Sequence, residues 1–211
     1  MSLDTFIFDM DDVLCEYNVA RRLAALEAMT GIPADVIHRR VWGSGFENRA
    51  DAGEYPDSAA YLEAFCEHMQ FRITREQWIE ARKVSMTAYD DMLDTVRHLA
   101  NTGTIAVLTN NVPLLEDTLG EVFPEVVEIF GANIYFSCSL GIGKPDPEIY
   151  RQVAGACGTA PERCLFTDDK LENVEGARAA GMQGIHFTAP ASFLQQLDVI
   201  GVALDWGVNR P

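Results

Sequence analysis

The spacing of apolar positions changes character along the chain. Thr5–Phe8 reads as a short buried strand, Phe6, Ile7 and Phe8 forming an unbroken apolar run within it. Helical spacing then holds for about eighty residues. Leu23, Leu26 and Met29 share one face of a helix over 19–30, with Asn18 placed to cap it and Gly31 to end it. Pro33 suits the first turn of a helix running to Val41. Asp57 is placed to cap a helix to His68, and Thr74-Arg75-Glu76-Gln77 matches a capping box ahead of a helix to Ser85. Asp90 or Asp91 opens another helix that ends at Gly103.

Beyond Gly103 the rhythm alternates. Strands are predicted over 104–108, 134–137, 163–167 and 184–187, separated by helices that begin near Pro113, Glu125, Pro147, after Asp169 and near Pro190. This pattern predicts an α/β fold, a Rossmann-like parallel sheet flanked by helices. The helical run between the first two strands is too long for a simple crossover and reads as an inserted α-helical cap. The core is then discontinuous, 1–14 plus 92–211, around a cap over 15–91.

Composition narrows the function. With 48% hydrophobic residues in 211, a substantial core can be buried. A formal net charge of −16 argues against nucleic acid or an anionic membrane as partner, but permits a small anionic substrate if the site supplies cations. No stretch approaches the ~20 apolar residues of a membrane span, and the N-terminus lacks a basic-then-apolar secretory pattern. The five cysteines are odd in number and none has zinc-site spacing, so they read as reduced thiols of a cytoplasmic protein.

Each predicted strand ends in polar chemistry, and ligands of open parallel sheets sit beyond the carboxyl ends of strands. The first ends in Asp9-Met10-Asp11-Asp12 and the second in Thr109-Asn110-Asn111; Gly141-Ile142-Gly143-Lys144-Pro145 precedes a helix, and a later strand ends in Asp168-Asp169. Taken singly these are ordinary turn and cap residues; together they form a complementary set at one sheet edge. Crowded carboxylates resist ionisation, so something must offset their repulsion. A P-loop is excluded by glycine spacing and Pro145, a calcium loop by the absence of an oxygen ligand at its fifth position, and a serine-hydrolase elbow by the absence of Gly-x-Ser-x-Gly. Trp42, Phe46, Glu47, Asn48 and Arg49 form an aromatic and polar run; the reading adopted is that the aromatics are cap core and the charges solvated, rather than a lid over a leaving group.

These residues resemble the haloacid dehalogenase superfamily. Phe6-Ile7-Phe8-Asp9-Met10-Asp11-Asp12-Val13, Val107-Leu108-Thr109-Asn110, Gly143-Lys144-Pro145-Asp146 and Phe166-Thr167-Asp168-Asp169 with Asn173 follow the order of that family's motifs. The wording around Lys144 and Asp169, and the cap's Gly53-Glu54-Tyr55, are similar to the branch holding glucose-1-phosphatase-type enzymes and the phosphatase domain of soluble epoxide hydrolases. The resemblance implies magnesium-dependent hydrolysis of a small phosphorylated metabolite, such as a sugar phosphate, through an aspartyl-phosphate. It implies Asp9 as nucleophile, Asp11 as acid and base, Thr109 and Asn110 as phosphate binders, and Lys144 as charge neutraliser. Magnesium would be held by Asp9, the Asp11 carbonyl and Asp169, with Asp168 behind or as an alternative ligand. Phosphoryl transfer on the same fold is the alternative, and metal-independent dehalogenation at carbon a weaker one. Asp12 has no assigned role.

Overall fold

The computed structural model describes residues 2–202 and 204. Its strands are β1 (Thr5–Phe8), β2 (Cys15–Tyr17), β3 (Met86–Ala88), β4 (Thr104–Thr109), β5 (Ile134–Phe136), β6 (Cys164–Asp168) and β7 (Gln183–His186). Between β2 and β3 run α1 (Val19–Thr30), α2 (Ala34–Val41), α3 (Phe46–Asp51), α4 (Ser58–Met69) and α5 (Arg75–Lys83). The rest of the chain adds α6 (Asp90–Leu99), α7 (Pro113–Val122), α8 (Pro124–Phe130), α9 (Ser137–Leu140), α10 (Pro147–Ala156), α11 (Leu171–Ala179) and α12 (Pro190–Val199).

The predicted end signals act as expected. Asn18 accepts from Arg21 N at 3.1 Å, and Gly31 closes α1 at φ +73°, in the left-handed region where a Cβ is disfavoured. Thr74 and Gln77 complete both arms of the capping box. The strand expected over 134–137 ends at Phe136, where α9 begins, and two further features had no expectation. One is the β2–β3 antiparallel ribbon, whose three-residue strands are too short to carry a period. The other is α3, a six-residue helix in a stretch read as a link.

Five strands form one parallel sheet in the order β5-β4-β1-β6-β7. Phe6, Phe8, Val107 and Leu165 pack into one core, which continues into the helices between β2 and β3. Ile7, Ala106, Leu108 and Phe166 pack into a second core with α10 and α11. From β1 the chain adds β4 and β5 on one side and then crosses to add β6 and β7 on the other, and this switch point beside β1 is where a crevice opens beyond the strands' carboxyl ends. No helix among the described residues is long and apolar enough to cross a membrane.

Candidate active site

Asp9 follows directly on β1, its N–H donating to Thr167 O at 2.9 Å, which fixes it level with the end of β6. Lys144 reaches it from the loop before α10, with Nζ 2.8 Å from Asp9 Oδ1 and 2.7 Å from Asp168 Oδ2. All three side chains are buried. Asp168 is fully occupied: Asn173 Nδ2 donates to both of its oxygens at 3.0 Å, and Lys170 N to Oδ1 at 2.8 Å. The loop bearing Lys144 is pinned by the Asn110 amide, which donates to Lys144 O and accepts from Lys144 N, each at 2.9 Å. It lies against α11 because residue 176 is glycine; a Cβ there would stand 2.2 Å from Pro145 O.

Burial is the main influence on Asp9 and pushes it up to about 7, with Lys144 pulling it down and Asp168 adding to the rise. Burial alone would depress the Lys144 ammonium, but Asp9 and Asp168 outweigh that and hold it above the usual lysine value. Asp169 is raised by burial and then by Asp168. Carboxylate oxygens of Asp9, Asp168 and Asp169 lie within 4.8 Å of one another, and with Asp168 occupied by its four hydrogen bonds, Asp9 and Asp169 are the pair free to take a ligand. Such an all-oxygen set suits a hard divalent cation.

Asp11 faces a cation from the helical insertion: Arg82 Nη2 on α5 lies 2.8 and 2.7 Å from its two oxygens. The Arg82 guanidinium lies over the Tyr17 ring at 4.1 Å. Asn111 ties the first and second motifs together, its Nδ2 donating to Thr109 Oγ1 at 2.8 Å and to Asp11 Oδ2 at 3.3 Å. Asp12 adopts φ +61°, a conformation that Asp tolerates better than most residues, and its Oδ1 accepts from Tyr17 N at 3.0 Å. It is the hinge of the turn between β1 and β2.

Asp9, Asp11, Thr109, Asn110, Lys144 and Asp169 thus line one cavity of about 220 Å³. Asp168 braces it from behind Lys144. The aromatic and polar run divides. Phe46 is buried against Tyr61, Phe65 and His68. Arg49 pairs with Glu54 at 2.9 Å. Trp42, Glu47 and Asn48 face the cavity, so the expectation of solvated charges fails for Glu47, which the short helix α3 turns inward.

The sequence model of haloacid dehalogenase-like hydrolases matches residues 3–181. The chain belongs to this family. It is 27% identical over 189 residues to a phosphatase of Mycobacterium tuberculosis (strain CDC 1551 / Oshkosh), spanning 87% of this chain and 86% of that protein. It is 26% identical over 223 residues to bifunctional epoxide hydrolase 2 of Rattus norvegicus, spanning 95% of this chain but 39% of that longer protein. Among solved structures it superposes with a TM-score of 0.74 on a HAD-family enzyme of Bacteroides thetaiotaomicron in complex with magnesium and inorganic phosphate, at 19% identity over 89% of this chain and 96% of that one.

Within this haloacid dehalogenase-like fold, the motif reading missed Tyr17, Arg22, Asp51, Arg82 and Asn111, all of which line the cavity. Asn111 carries no signal beyond a turn propensity. The two arginines do carry one: Arg22 shares the buried face of α1 with Leu26, and Arg82 that of α5 with Trp78, and both are almost fully buried. A charge on an apolar face demands a partner or a ligand.

Proposed function

We propose that this haloacid dehalogenase-like hydrolase cleaves the phosphomonoesters of small metabolites, sugar phosphates among them, with Asp9 as nucleophile. The observation that carries the reading is a buried Asp9 held 2.8 Å from Lys144 on the same cavity as Asp11, Thr109 and Asp169. The phosphatase identity of the Mycobacterium tuberculosis relative supports it. Displacement at carbon would leave the Asp11 and Asp169 carboxylates without work, so the phosphoryl reading uses more of the site.

Asp9 attacks phosphorus and the bond to the leaving oxygen breaks, giving an aspartyl-phosphate. Asp11 protonates that oxygen, then takes the proton of the water that attacks the aspartyl-phosphate, releasing inorganic phosphate and restoring Asp9. Arg82, in contact with both of its oxygens, holds the Asp11 carboxyl in place for these transfers. Lys144 balances charge on the phosphoryl group and Asp9. The Thr109 hydroxyl and the backbone N–H near Asn110 hold phosphoryl oxygens; the Asn110 side chain instead braces the Lys144 loop.

The donor set fits magnesium, and the Bacteroides thetaiotaomicron complex supports that choice. Asp9, the Asp11 carbonyl and Asp169 would hold it; Asp168, saturated by Lys144, Asn173 and Lys170, would orient the others. When bound, the ion neutralises charge on the transferring group and among the carboxylates. In this reading 1–14 with 92–211 is the catalytic core and 15–91 the cap, residues 1, 203 and 205–211 of that core lying outside the described residues.

Phosphate release from a panel of sugar and small-acid phosphates tests the proposal. Activity that needs added magnesium and stops with chelator is expected. Turnover without metal, or turnover surviving Asp9→Asn, overturns it.

A further inference from the structure

Three buried cations border the cavity, and two have carboxylates in contact: Lys144 has Asp9 and Asp168, and Arg82 has Asp11. Arg22 has none. It is 3% exposed, and its Nη1 donates to Tyr17 Oη at 2.9 Å, while Nε and Nη2 are buried with no hydrogen-bond partner. Those two nitrogens form one edge of the planar guanidinium, and their parallel N–H groups match the two oxygens of a carboxylate.

The fold holds that edge in place. The guanidinium carbon lies 5.1 Å from the Trp42 ring and 4.9 Å from the Trp78 ring, so indoles restrict its movement. Burial alone would depress the Arg22 guanidinium, but Tyr17, Glu47 and Tyr61 outweigh that and hold it above its usual value, so its charge is retained. The buried N–H groups left without acceptors are costly, and a bound anion removes that cost. Glu47 shares the cavity, but its Oε1 accepts from Tyr61 Oη at 2.8 Å and it takes no hydrogen bond from the open edge of Arg22.

We infer that Arg22 docks a carboxylate of the leaving group, so that the substrates are phosphate esters of short hydroxy acids. The inference rests on the phosphomonoester reading above and sharpens it. Burial and Glu47 push Asp51 up to about 8, so near neutral pH Asp51 is mostly uncharged and repels a second anion less than an ionised carboxylate would. The cavity, at about 220 Å³, has room for about seven waters at ~30 Å³ each, enough for a phosphoryl group and a few further atoms.

Matched esters test this. 2-Phosphoglycolate is compared with ethylene glycol monophosphate, which carries CH2OH in place of the carboxylate, and 3-phosphoglycerate with glycerol 1-phosphate. The acids are expected to exceed the alcohols in kcat/KM by about tenfold or more, a ratio that Arg22→Gln brings to within about threefold and Arg22→Lys only partly restores. Equal rates for acid and alcohol in the unmodified enzyme overturn the inference. So does a loss in Arg22→Gln that is the same for both esters, which would mark a structural arginine. Ethylene glycol bisphosphate, if preferred to 2-phosphoglycolate, overturns the carboxylate in favour of a second phosphoryl group. If no ester is hydrolysed, the hydrolase reading fails by itself, and calorimetric binding of the same pairs decides: tighter acid binding that is lost in Arg22→Gln supports the inference, and equal affinities overturn it.

Discussion

The two walls of the cavity hold their cations in opposite ways. On the core wall Lys144 sits between Asp9 and Asp168, Asp168 is closed off by Asn173 and Lys170, and the loop is pinned by Asn110. Asp9, Lys144 and Asp168 are all partnered before any substrate arrives. On the cap wall Arg22 keeps an unpaired edge and Arg82 an unpaired Nε. Transition-state stabilisation needs preorganised charge, because groups already in place need not reorganise during reaction. Recognition of a particular leaving group needs unmet hydrogen-bonding capacity, because only then does the wrong ligand leave a buried donor unpaired. On the proposed function the difference follows from division of labour: one wall serves the phosphoryl group and the other what is attached to it.

The sharpest way to break this comparison is at the core wall. Asp9→Asn should lower kcat by about 10⁴-fold, since covalent catalysis fails without the nucleophile. Its melting temperature should match or exceed that of the unmodified chain, because the substitution removes a carboxylate that burial already holds at about 7. A slow variant that also melts much lower would mean that Asp9 is structural. Next in size is Lys144→Met, which strands Asp9 and Asp168 without their cation. Breaking a buried ion pair from one side costs about 3–5 kcal/mol, and urea melts should show a loss of that order. A loss below about 1 kcal/mol would show that the core wall is not the saturated network described.

What could be read in the sequence was what is local. Asp9, Thr109, Lys144 and Asp169 each stand at the end of a strand or the start of a helix, where a short window reveals them. Asn18, Asp57 and the Thr74–Gln77 box act on backbone N–H groups within three residues, and their helices begin where expected. The cap wall is different in kind. Arg82 meets Asp11 across 71 positions and Asn111 meets it across 100, distances at which no pattern in the chain specifies a partner. Asp12 was opaque for a related reason: its role is a positive φ and one bond to Tyr17 N, neither of which a carboxylate in a run of carboxylates announces. Arg22 and Arg82 were visible only as charges on apolar helix faces.

Arg82→Gln sharpens the link between the walls. Asp11 would keep its Asn111 contact but lose both arginine hydrogen bonds, so its carboxylate would be less well placed to meet the leaving oxygen. A fall of about tenfold in kcat is expected, with a smaller change in KM, in initial-rate measurements. A larger change in KM than in kcat would move Arg82 from positioning Asp11 to binding substrate.

The smallest effect concerns Asp51, where the cap wall carries a carboxyl whose pKa is raised from 3.8 to about 8, first by burial and then by Glu47. The folded chain therefore keeps a proton that the unfolded chain releases between those two values. Stability attached to Asp51 is complete below about pH 4, declines as pH rises through about 8, and is flat beyond. An amide in its place would be neutral throughout, so Asp51→Asn should leave stability near pH 4 unchanged and raise it by about 1–2 kcal/mol at pH 8, partial exposure screening the rest. Urea melts of both chains at pH 4.5 and pH 8 check this. A gain equal at both pH values would mean that Asp51 is ionised in the folded chain, and the cap wall would then carry two full negative charges opposite Arg22.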